Sequence, residues 1–433
     1  MISTLLTVLA LHAAQAAEVH RVALVMGANN GGAGRVTLRY AASDADSVGE
    51  VLTDLGGVAP DDLLVLRDPS RADVLAGLER LATHLHTVPG ERTEAIVYYS
   101  GHSDETGLLL GDERLSYPDL KHALNALPAD VRVGILDSCA SGAMARSKGG
   151  VHRPPFLLDA SRGVRGNATI TSASADEAAQ ESDRVGGSFF THFLLSGLRG
   201  AADVNADSTV TLREAYDFAF DQTLARTQGT LAGPQHAVYD FDLVGTGDVI
   251  LTDLRDHSAG LVLPEDLDGR IFVRDAQNRL QVEVAKAFGS PLTLGLSPGR
   301  YQVHRQRHLG LSLATIDIAE GRPTTLWPSA FTTVLPEGAT ARGPLDEPHV
   351  LREPTASRTF LASSATSLAV AALLYSSSLR VGDRYVDPKD AAQARTGLQV
   401  SAGLFAGVGV LTGVGAAITL PQPGLKRDAD LSE

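Results

Sequence analysis

The chain has 433 residues, enough for two or three domains and for a buried catalytic core. Its 37 Lys and Arg residues against 51 Asp and Glu residues give a formal net charge of −14. This excess of negative charge argues against nucleic acid as a main partner and favours a basic one. The single cysteine, Cys139, excludes an intramolecular disulfide.

Residues 1–17 have the pattern of a secretory signal peptide. An apolar stretch from Leu5 to Leu11 is followed by Ala14, Gln15 and Ala16, small residues of the kind found before a cleavage site. The stretch is too short to span a bilayer as a helix. No Lys or Arg precedes it, so a buried or frayed N-terminus is the alternative. The pattern predicts export to the periplasmic or extracellular side.

Residues 18–254 alternate apolar strand-like runs with amphipathic helical ones, which indicates an α/β domain. Three runs are nearly continuous and apolar, as expected of parallel strands covered on both faces: RVALVMGA, EAIVYYSG and VRVGILDSC. Ser70 with Asp73, and Ser116 with Asp119, have the spacing of capping boxes at helix starts. We predict a mainly parallel sheet flanked by helices.

The chain changes character after this domain. Residues 260–335 show the period-two alternation of a small β-sandwich, and residues 336–357 are a Pro-, Glu-, Arg- and Gly-rich linker. Residues 358–421 hold two apolar segments near the length of a bilayer-spanning helix, and residues 422–433 form a tail.

The two apolar segments predict a transmembrane hairpin that anchors the exported domain to the membrane. Four basic residues between them suit a cytoplasmic loop under the positive-inside rule: Arg380, Arg384, Lys389 and Arg395. The first segment is diluted by Ser and Thr, so a soluble helical hairpin is the alternative.

Cys139 and His102 each follow one of the apolar strands. Cys139 lies among small residues in DSCASG, and His102 ends the run YYSGH. Because functional groups collect beyond the carboxyl ends of parallel strands, we expect these side chains to meet although 37 positions separate them. An imidazole beside a thiol activates it as a nucleophile for acyl transfer. The alternative for a lone cysteine is a buried apolar role.

The runs YYSGHS and DSCASG resemble the two catalytic motifs of the caspase and metacaspase-like cysteine peptidases, in the order and on the strands of that family. The resemblance covers roughly residues 20–252. It implies a caspase-like fold, His102 and Cys139 as the catalytic dyad, and an oxyanion hole from the backbone N–H groups of Ser103 and Cys139. The family usually has Gly where Ser103 stands.

The resemblance also implies a pocket for a basic residue before the scissile bond, the P1 position. In metacaspases an acidic residue two before the cysteine and another at the start of the first helix bind Arg or Lys. Asp137 and Asp44 match these positions. For Asp44 the alternative is a first-turn acid favoured by the helix dipole. The expected partner is therefore a protein or peptide with a basic P1 residue.

A calcium ligand pattern occurs further along the chain, although no cofactor is required. Oxygen-bearing side chains occupy EF-hand-like spacing, with Ser208 where Gly is usual: Asp203, Asn205, Asp207, Thr209, Thr211 and Glu214. The alternative is an Asx turn with a helix N-cap. The remaining histidines, such as His84, show no ligand spacing and are interpreted as surface or packing residues.

Together these patterns predict an exported, membrane-anchored cysteine endopeptidase that cleaves after Arg or Lys. The alternative is a catalytically weak or inactive caspase-fold protein with a binding or scaffolding role. A Cys–His acyltransferase or hydrolase of another kind would share the dyad but not the pair of motifs.

Overall fold

The computed structural model describes residues 19–87, 92–139, 164–174, 177–255, 257–307 and 310–334, together with positions 396 and 399. The predicted signal peptide, linker, apolar hairpin and tail lie outside these ranges except for the two isolated positions. Among the described residues, no helix has both the length and the apolar character for a membrane crossing.

The first part of the chain alternates strands and helices. Its strands are β1 (Val19–Ala28), β2 (Val58–Arg67), β3 (Arg92–Gly101), β4 (Ser103–Asp104), β5 (Gly107–Leu110), β6 (Glu113–Ser116), β7 (Val131–Asp137), β8 (Arg165–Thr171), β9 (Glu181–Ser182), β10 (Gly187–Ser188), β11 (Thr209–Thr211), β12 (Val238–Val244) and β13 (Ile250–Asp253). Its helices are α1 (Ala41–Asp54), α2 (Arg71–Leu85), α3 (Tyr117–Asn125), α4 (Phe189–Ser196) and α5 (Leu212–Thr227), and a π-helical turn (Gly197–Ala201) follows α4.

A six-stranded sheet in the order β12-β8-β7-β3-β1-β2 forms the centre of this region. The pairs from β2 to β8 are parallel, and only β12 runs antiparallel, against β8. The apolar strands bury side chains on both faces. One face packs against α1, α4 and α5, and the other against α2 and α3. This is the predicted α/β arrangement with a mainly parallel sheet.

The capping signals are partly realised. Ser70 and Asp73 form both hydrogen bonds of a capping box at the start of α2. Ser116 accepts a hydrogen bond from the Asp119 N–H, but the reciprocal bond predicted from the sequence is missing at α3. Pro118 lies in the first turn of α3 beside this cap, so the half-box still begins the helix where it was predicted.

Two further sheets follow and share one apolar core. Their strands are β14 (Gly260–Leu263), β15 (Gly269–Arg274), β16 (Leu280–Lys286), β17 (Leu292–Gly295), β18 (Gly299–Arg307), β19 (Gly310–Ile318), β20 (Thr324–Thr325) and β21 (Thr332–Val334), with a short 3-10 helix at Pro328–Ala330. The orders are β17-β14-β20 and β16-β15-β18-β19-β21. The alternation of these segments buries every second side chain, as in Tyr301, Val303 and Arg305 of β18.

Candidate active site

The register of β3 and β7 determines where His102 and Cys139 lie. Ser100 is the partner of Asp137 in this parallel pair, and His102 and Cys139 each come two residues later in their own strand exit. The two residues therefore leave the same edge of the sheet from neighbouring strands. The carboxyl edge is where the sequence predicted them to meet.

The main chain around the two residues is tied together. The Ser103 hydroxyl donates a short hydrogen bond to the Cys139 carbonyl. The buried Tyr99 hydroxyl lies 2.8 Å from the His102 carbonyl and 2.9 Å from that of Leu109. The Ser103 hydroxyl fixes the exit of β3 against that of β7, a contact that Gly could not make, and the Tyr99 hydroxyl links the exit of β3 to β5.

The His102 ring is held by the segment after β1. Its Nε2 lies 2.8 Å from the Val36 carbonyl oxygen, which can only accept, so Nε2 carries the proton. Nδ1 is then the nitrogen with a free lone pair. Gly31 lies against the ring, since a Cβ at this position would come 2.4 Å from the His102 Cδ2. No sequence motif predicted either contact, because one partner is a backbone carbonyl and the other has no side chain.

Cys139 is half-buried, and its Sγ lies 3.9 Å from the Ala179 carbonyl oxygen. Burial raises the pKa of the thiol, the hydrogen bond to Ala179 opposes that shift, and the negative charge of Asp137 adds to it. The resting thiol is therefore protonated at neutral pH. A base must remove its proton before it acts as a nucleophile.

Asp44 and Asp137, the two predicted pocket acids, are both buried, with 5 % and 3 % of their surface exposed. The Ser188 N–H donates to Asp44 Oδ2 at 3.1 Å, and the Ser188 hydroxyl donates a short hydrogen bond to Asp137 Oδ2. Thr191 Oγ1 donates to the same Asp137 oxygen at 2.6 Å. Sequence analysis did not identify Ser188 or Thr191, although Ser188 has the position of an N-cap before the apolar run of α4.

The two carboxyl groups interact unfavourably. Burial raises the pKa of Asp44 well above its ordinary value, and the charge of Asp137 adds to the effect. Burial also raises the pKa of Asp137, opposed by hydrogen bonds from Ser188, Thr191 and Ser172. Within the described part of the chain neither carboxylate forms an ion pair with a basic side chain. Burial therefore favours the neutral form of both acids in the free protein.

The backbone of Gly187 lies against this pair. A Cβ at Gly187 would lie 2.6 Å from Asp44 Oδ1, so any larger residue here would collide with that carboxylate oxygen. Glu181 lies close enough to add to the raised pKa of Asp44 while its own carboxylate accepts from the main-chain N–H of Arg39. The surroundings of Asp44 are therefore acidic.

The calcium pattern lies in the turn before α5. Asp203 and Asn205 accept hydrogen bonds from the main-chain N–H groups of Asp207 and Ser208, and Asp207 accepts from Thr209. The Glu214 carboxylate accepts from the N–H and hydroxyl of Thr211 in a capping box. Each acid thus has the hydrogen bonds of the Asx-turn and N-cap alternative. Calcium binding stays a prediction.

The backbone conformation of this turn, unlike its side-chain hydrogen bonds, agrees with the calcium-loop pattern. Ala206 and Ser208 have φ values of 57° and 64°. Ser208 therefore adopts the left-handed conformation for which Gly is usual at its position. Burial raises the pKa of Asp203 and of Glu214, and the charge of Asp207 adds to both shifts.

The family model described as "Caspase domain" matches residues 20–228. A search of curated proteins gives no match. Among solved structures, the chain is similar to caspase-1 from Spodoptera frugiperda at 14 % identity, with 55 % of this chain and 92 % of that chain covered and a TM-score of 0.39. The family match spans both strand exits and both pocket acids. Residues 20–228 therefore form a domain of the caspase family.

Proposed function

We propose that the chain is a cysteine endopeptidase in which Cys139 is the nucleophile and His102 the general base and acid. The observation that carries the proposal is the register of β3 and β7, which brings the exits of both residues to one edge of the sheet. The caspase domain of residues 20–228 supports protein substrates. The basic P1 preference and the dyad are inferred from the site.

In the proposed reaction, His102 Nδ1 takes the thiol proton as Cys139 Sγ attacks the carbonyl carbon of the scissile peptide. The imidazolium then gives that proton to the leaving amine, the C–N bond breaks, and a thioester remains on Cys139. Water activated by the neutral imidazole hydrolyses the thioester. The hydrogen bond from Nε2 to Val36 supports this assignment, because it leaves Nδ1 as the base and stabilises the imidazolium.

The oxyanion that forms during attack needs donors at the same strand exits. We propose the backbone N–H groups of Ser103 and Cys139 for this role. The hydrogen bond from the Ser103 hydroxyl to the Cys139 carbonyl holds the two residues together and supports their acting as one unit. Where Gly would leave the backbone flexible, the Ser103 side chain holds it in place through this hydrogen bond.

The preference for Arg or Lys at P1 is proposed from Asp44 and Asp137. A guanidinium or ammonium group bound beside them would neutralise two buried carboxylates that repel each other in the free protein. Binding energy would then come partly from relief of that repulsion. An acidic P1 residue would add a third negative charge to the same buried region.

A second candidate function is a caspase-fold binding protein with weak or no turnover. One observation favours it: burial raises the pKa of Cys139, so the resting thiol is not the thiolate that reacts fastest. Under this alternative the pocket acids would bind a basic peptide without cleaving it. Labelling of Cys139 by a substrate-like probe separates the two.

Export and membrane anchoring remain proposals from the sequence of residues 1–17 and 358–421. Fractionation of cells that express the full chain tests them: recovery with the membranes supports anchoring, and recovery without detergent in the supernatant contradicts it. Calcium would be an optional ligand of the turn at residues 203–214.

The test of the enzymatic proposal is covalent labelling. Wild-type protein is incubated with a peptidyl acyloxymethyl ketone that carries Arg at P1, and intact mass is measured. We expect one adduct, mapped to Cys139 by peptide mass analysis and absent in Cys139→Ala. His102→Ala should retain the fold and label far more slowly. Equal labelling of wild type and His102→Ala would contradict the role of His102.

A further inference from the structure

A cluster of metal-binding side chains lies away from the proposed active site. His20 on β1, Asp62 on β2 and His84 in the last turn of α2 each offer one ligand atom, and these atoms lie within 4.8 Å of one another. They are far apart in sequence, so no spacing motif indicated that they form a cluster. His84 is therefore more than the surface or packing residue that the sequence suggested.

The two imidazoles converge on one carboxylate. His84 Nε2 lies 2.6 Å from Asp62 Oδ1, and His20 Nε2 lies 3.5 Å from Asp62 Oδ2. The ring centroids of the two histidines are 5.7 Å apart. Ligand atoms around a tetrahedral Zn²⁺ with bonds of roughly 2.0–2.1 Å stand about 3.3 Å from each other, so the observed separations need only small side-chain shifts.

The nitrogen of His20 lacks a hydrogen bond. Its Nε2 is buried and finds no hydrogen-bonding partner among the described residues. A buried ring nitrogen without a hydrogen-bonding partner lowers the stability of the folded protein. Coordination of a metal ion by the lone pair of this nitrogen would give it a partner.

The backbone is shaped to bring Asp62 to this place. The pairing of β1 with β2 shifts from Arg21 opposite Val58 to Ala23 opposite Leu63, so the β2 residues between them bulge out of the ladder. Bulges are devices that re-aim a side chain, and they concentrate at functional sites. Here the bulge turns Asp62 towards the start of β1 and the end of α2.

The electrostatic surroundings favour a cation. His84 lies in the last turn of α2, where the helix dipole is negative. Asp62 and His84 also line a cavity of about 520 Å³, and its wall carries two further acids, Asp61 and Glu79, against one basic residue, Arg80. The cavity gives solvent or a small ligand access to an open coordination position.

We propose that His20, Asp62 and His84 bind a first-row divalent transition ion, Zn²⁺ in the first instance. Two neutral imidazoles and one carboxylate are a ligand set typical of zinc, and the cavity side leaves the fourth position for water or another donor. The ion would tie the start of β1 to the end of α2. This edge is the amino edge of the sheet, opposite the exits of Cys139 and His102.

The test uses Zn²⁺ itself, titrated calorimetrically into the full chain carrying Cys139→Ala, which removes the thiol as a competing ligand. We expect binding of one equivalent and a raised melting temperature with Zn²⁺. In this background, His84→Ala and Asp62→Asn should lose both effects, and His86→Ala, which removes an exposed histidine just after the same helix, should keep them. Asp62→Asn preserves shape and serves if His84→Ala perturbs the helix end.

Co²⁺ provides a second readout, because its visible absorption reports the coordination geometry. A tetrahedral or five-coordinate spectrum in the Cys139→Ala parent that disappears in Asp62→Asn supports the site. Failure of the parent to bind either ion, or equal binding in the parent and in His84→Ala, overturns the proposal. Loss of binding in His86→Ala equal to that in His84→Ala overturns it as well, since the ion would then sit on surface histidines.

Discussion

Asp44 and Asp137 share one hydrogen-bonding residue, since Ser188 donates its N–H to Asp44 and its hydroxyl to Asp137. The two acids come from α1 and from the end of β7, and Ser188 begins α4. One residue thus fixes the spacing of two like charges in a buried place. The arrangement costs stability in the free protein, and in the proposed function it binds a cationic side chain.

Asp44→Asn should raise the stability of the protein and lower its activity. The folded-state pKa of Asp44 is raised, so its stabilising contribution is present at pH below the ordinary Asp value and is lost as the pH rises through the raised value. Ionised Asp44 therefore destabilises the protein at neutral pH. We expect Asn to raise the melting temperature at pH 8 by roughly 2–4 °C, the shift for about 1 kcal/mol in a domain of about 150–250 residues, while cleavage after Arg or Lys falls.

The matched control is Asp46→Asn on the same helix. Asp46 is half-exposed and pairs with Arg67, and such a surface ion pair contributes little. It should change neither the melting temperature nor the P1 preference. A lower melting temperature for Asp44→Asn at pH 8 would mean that Asp44 is a stabilising helix acid and would remove the argument for a strained pocket.

Gly31→Ala should impair catalysis without unfolding the protein. The new Cβ would lie 2.4 Å from His102 Cδ2, so the ring must move away from its present position. Displacement of a catalytic group by about 1 Å costs on the order of 100-fold in rate. We expect kcat to fall by that order, measured with a saturating peptide substrate, and the far-UV circular dichroism to stay unchanged.

Gly229→Ala is the control for this substitution, because a Cβ at Gly229 meets nothing within 4 Å. It should leave kcat at the wild-type level. Wild-type activity in Gly31→Ala would mean that the His102 ring does not act from the position held by Val36.

Alkylation of Cys139 by iodoacetamide should follow the raised pKa of the thiol. The chain has one cysteine, so the rate reports this residue alone. Because burial favours the neutral thiol, we expect slow alkylation at pH 7 and a rise whose midpoint lies above that of the denatured chain. Fast alkylation at pH 6, the mark of a thiolate–imidazolium pair in the free protein, would contradict the neutral resting dyad.

Glu283 joins the two parts of the described chain. This buried residue of β16 pairs with Arg226 of α5 and Arg270 of β15, and its Oε2 lies 3.4 Å from His192 Nε2 on α4. Glu283→Gln leaves these groups without a charged partner. We expect the free energy of unfolding in urea to fall by about 3 kcal/mol, at the low end for a broken buried pair because both arginines are partly exposed.

The pH dependence of Glu283 has the opposite sign to that of Asp44. Burial raises the pKa of Glu283, but His192 and the two arginines lower it more, and the net shift is downward. Its stabilisation is therefore present above the ordinary Glu value and is lost as the pH falls through the lowered one. Glu283→Gln should flatten the acid side of the stability curve. Glu320→Gln, an exposed control, should not.

The strand positions, and the exit of His102 and Cys139 from one edge of the sheet, could be predicted because they depend on local pattern. Continuous apolar runs mark covered parallel strands, and polar residues directly after them come to the same edge. The family resemblance then identified Asp44 and Asp137. None of these steps required knowledge of side-chain packing.

Other parts of the site could not be predicted because they depend on long-range packing. Val36 contributes a backbone carbonyl, which any residue would supply. Ser188 acts through the close approach of α4 to α1, and Asp62 reaches His20 and His84 through a β-bulge. Prediction also failed locally, at the capping box of Ser116 and Asp119. The spacing of the two residues does not determine the orientation of the Asp119 carboxylate, so the second hydrogen bond could not be predicted.

The most direct test is a set of four fluorogenic peptides that differ only at P1, with Arg, Lys, Asp or Ala, hydrolysed by the wild type and by Cys139→Ala. A buried pair of carboxylates that discriminates by about 3 kcal/mol gives a preference on the order of 100-fold in kcat/KM. We expect Arg and Lys to exceed Asp and Ala by that order, and Cys139→Ala to release no fluorophore. Preference for Asp, or equal turnover by Cys139→Ala, would contradict a basic-specific cysteine peptidase.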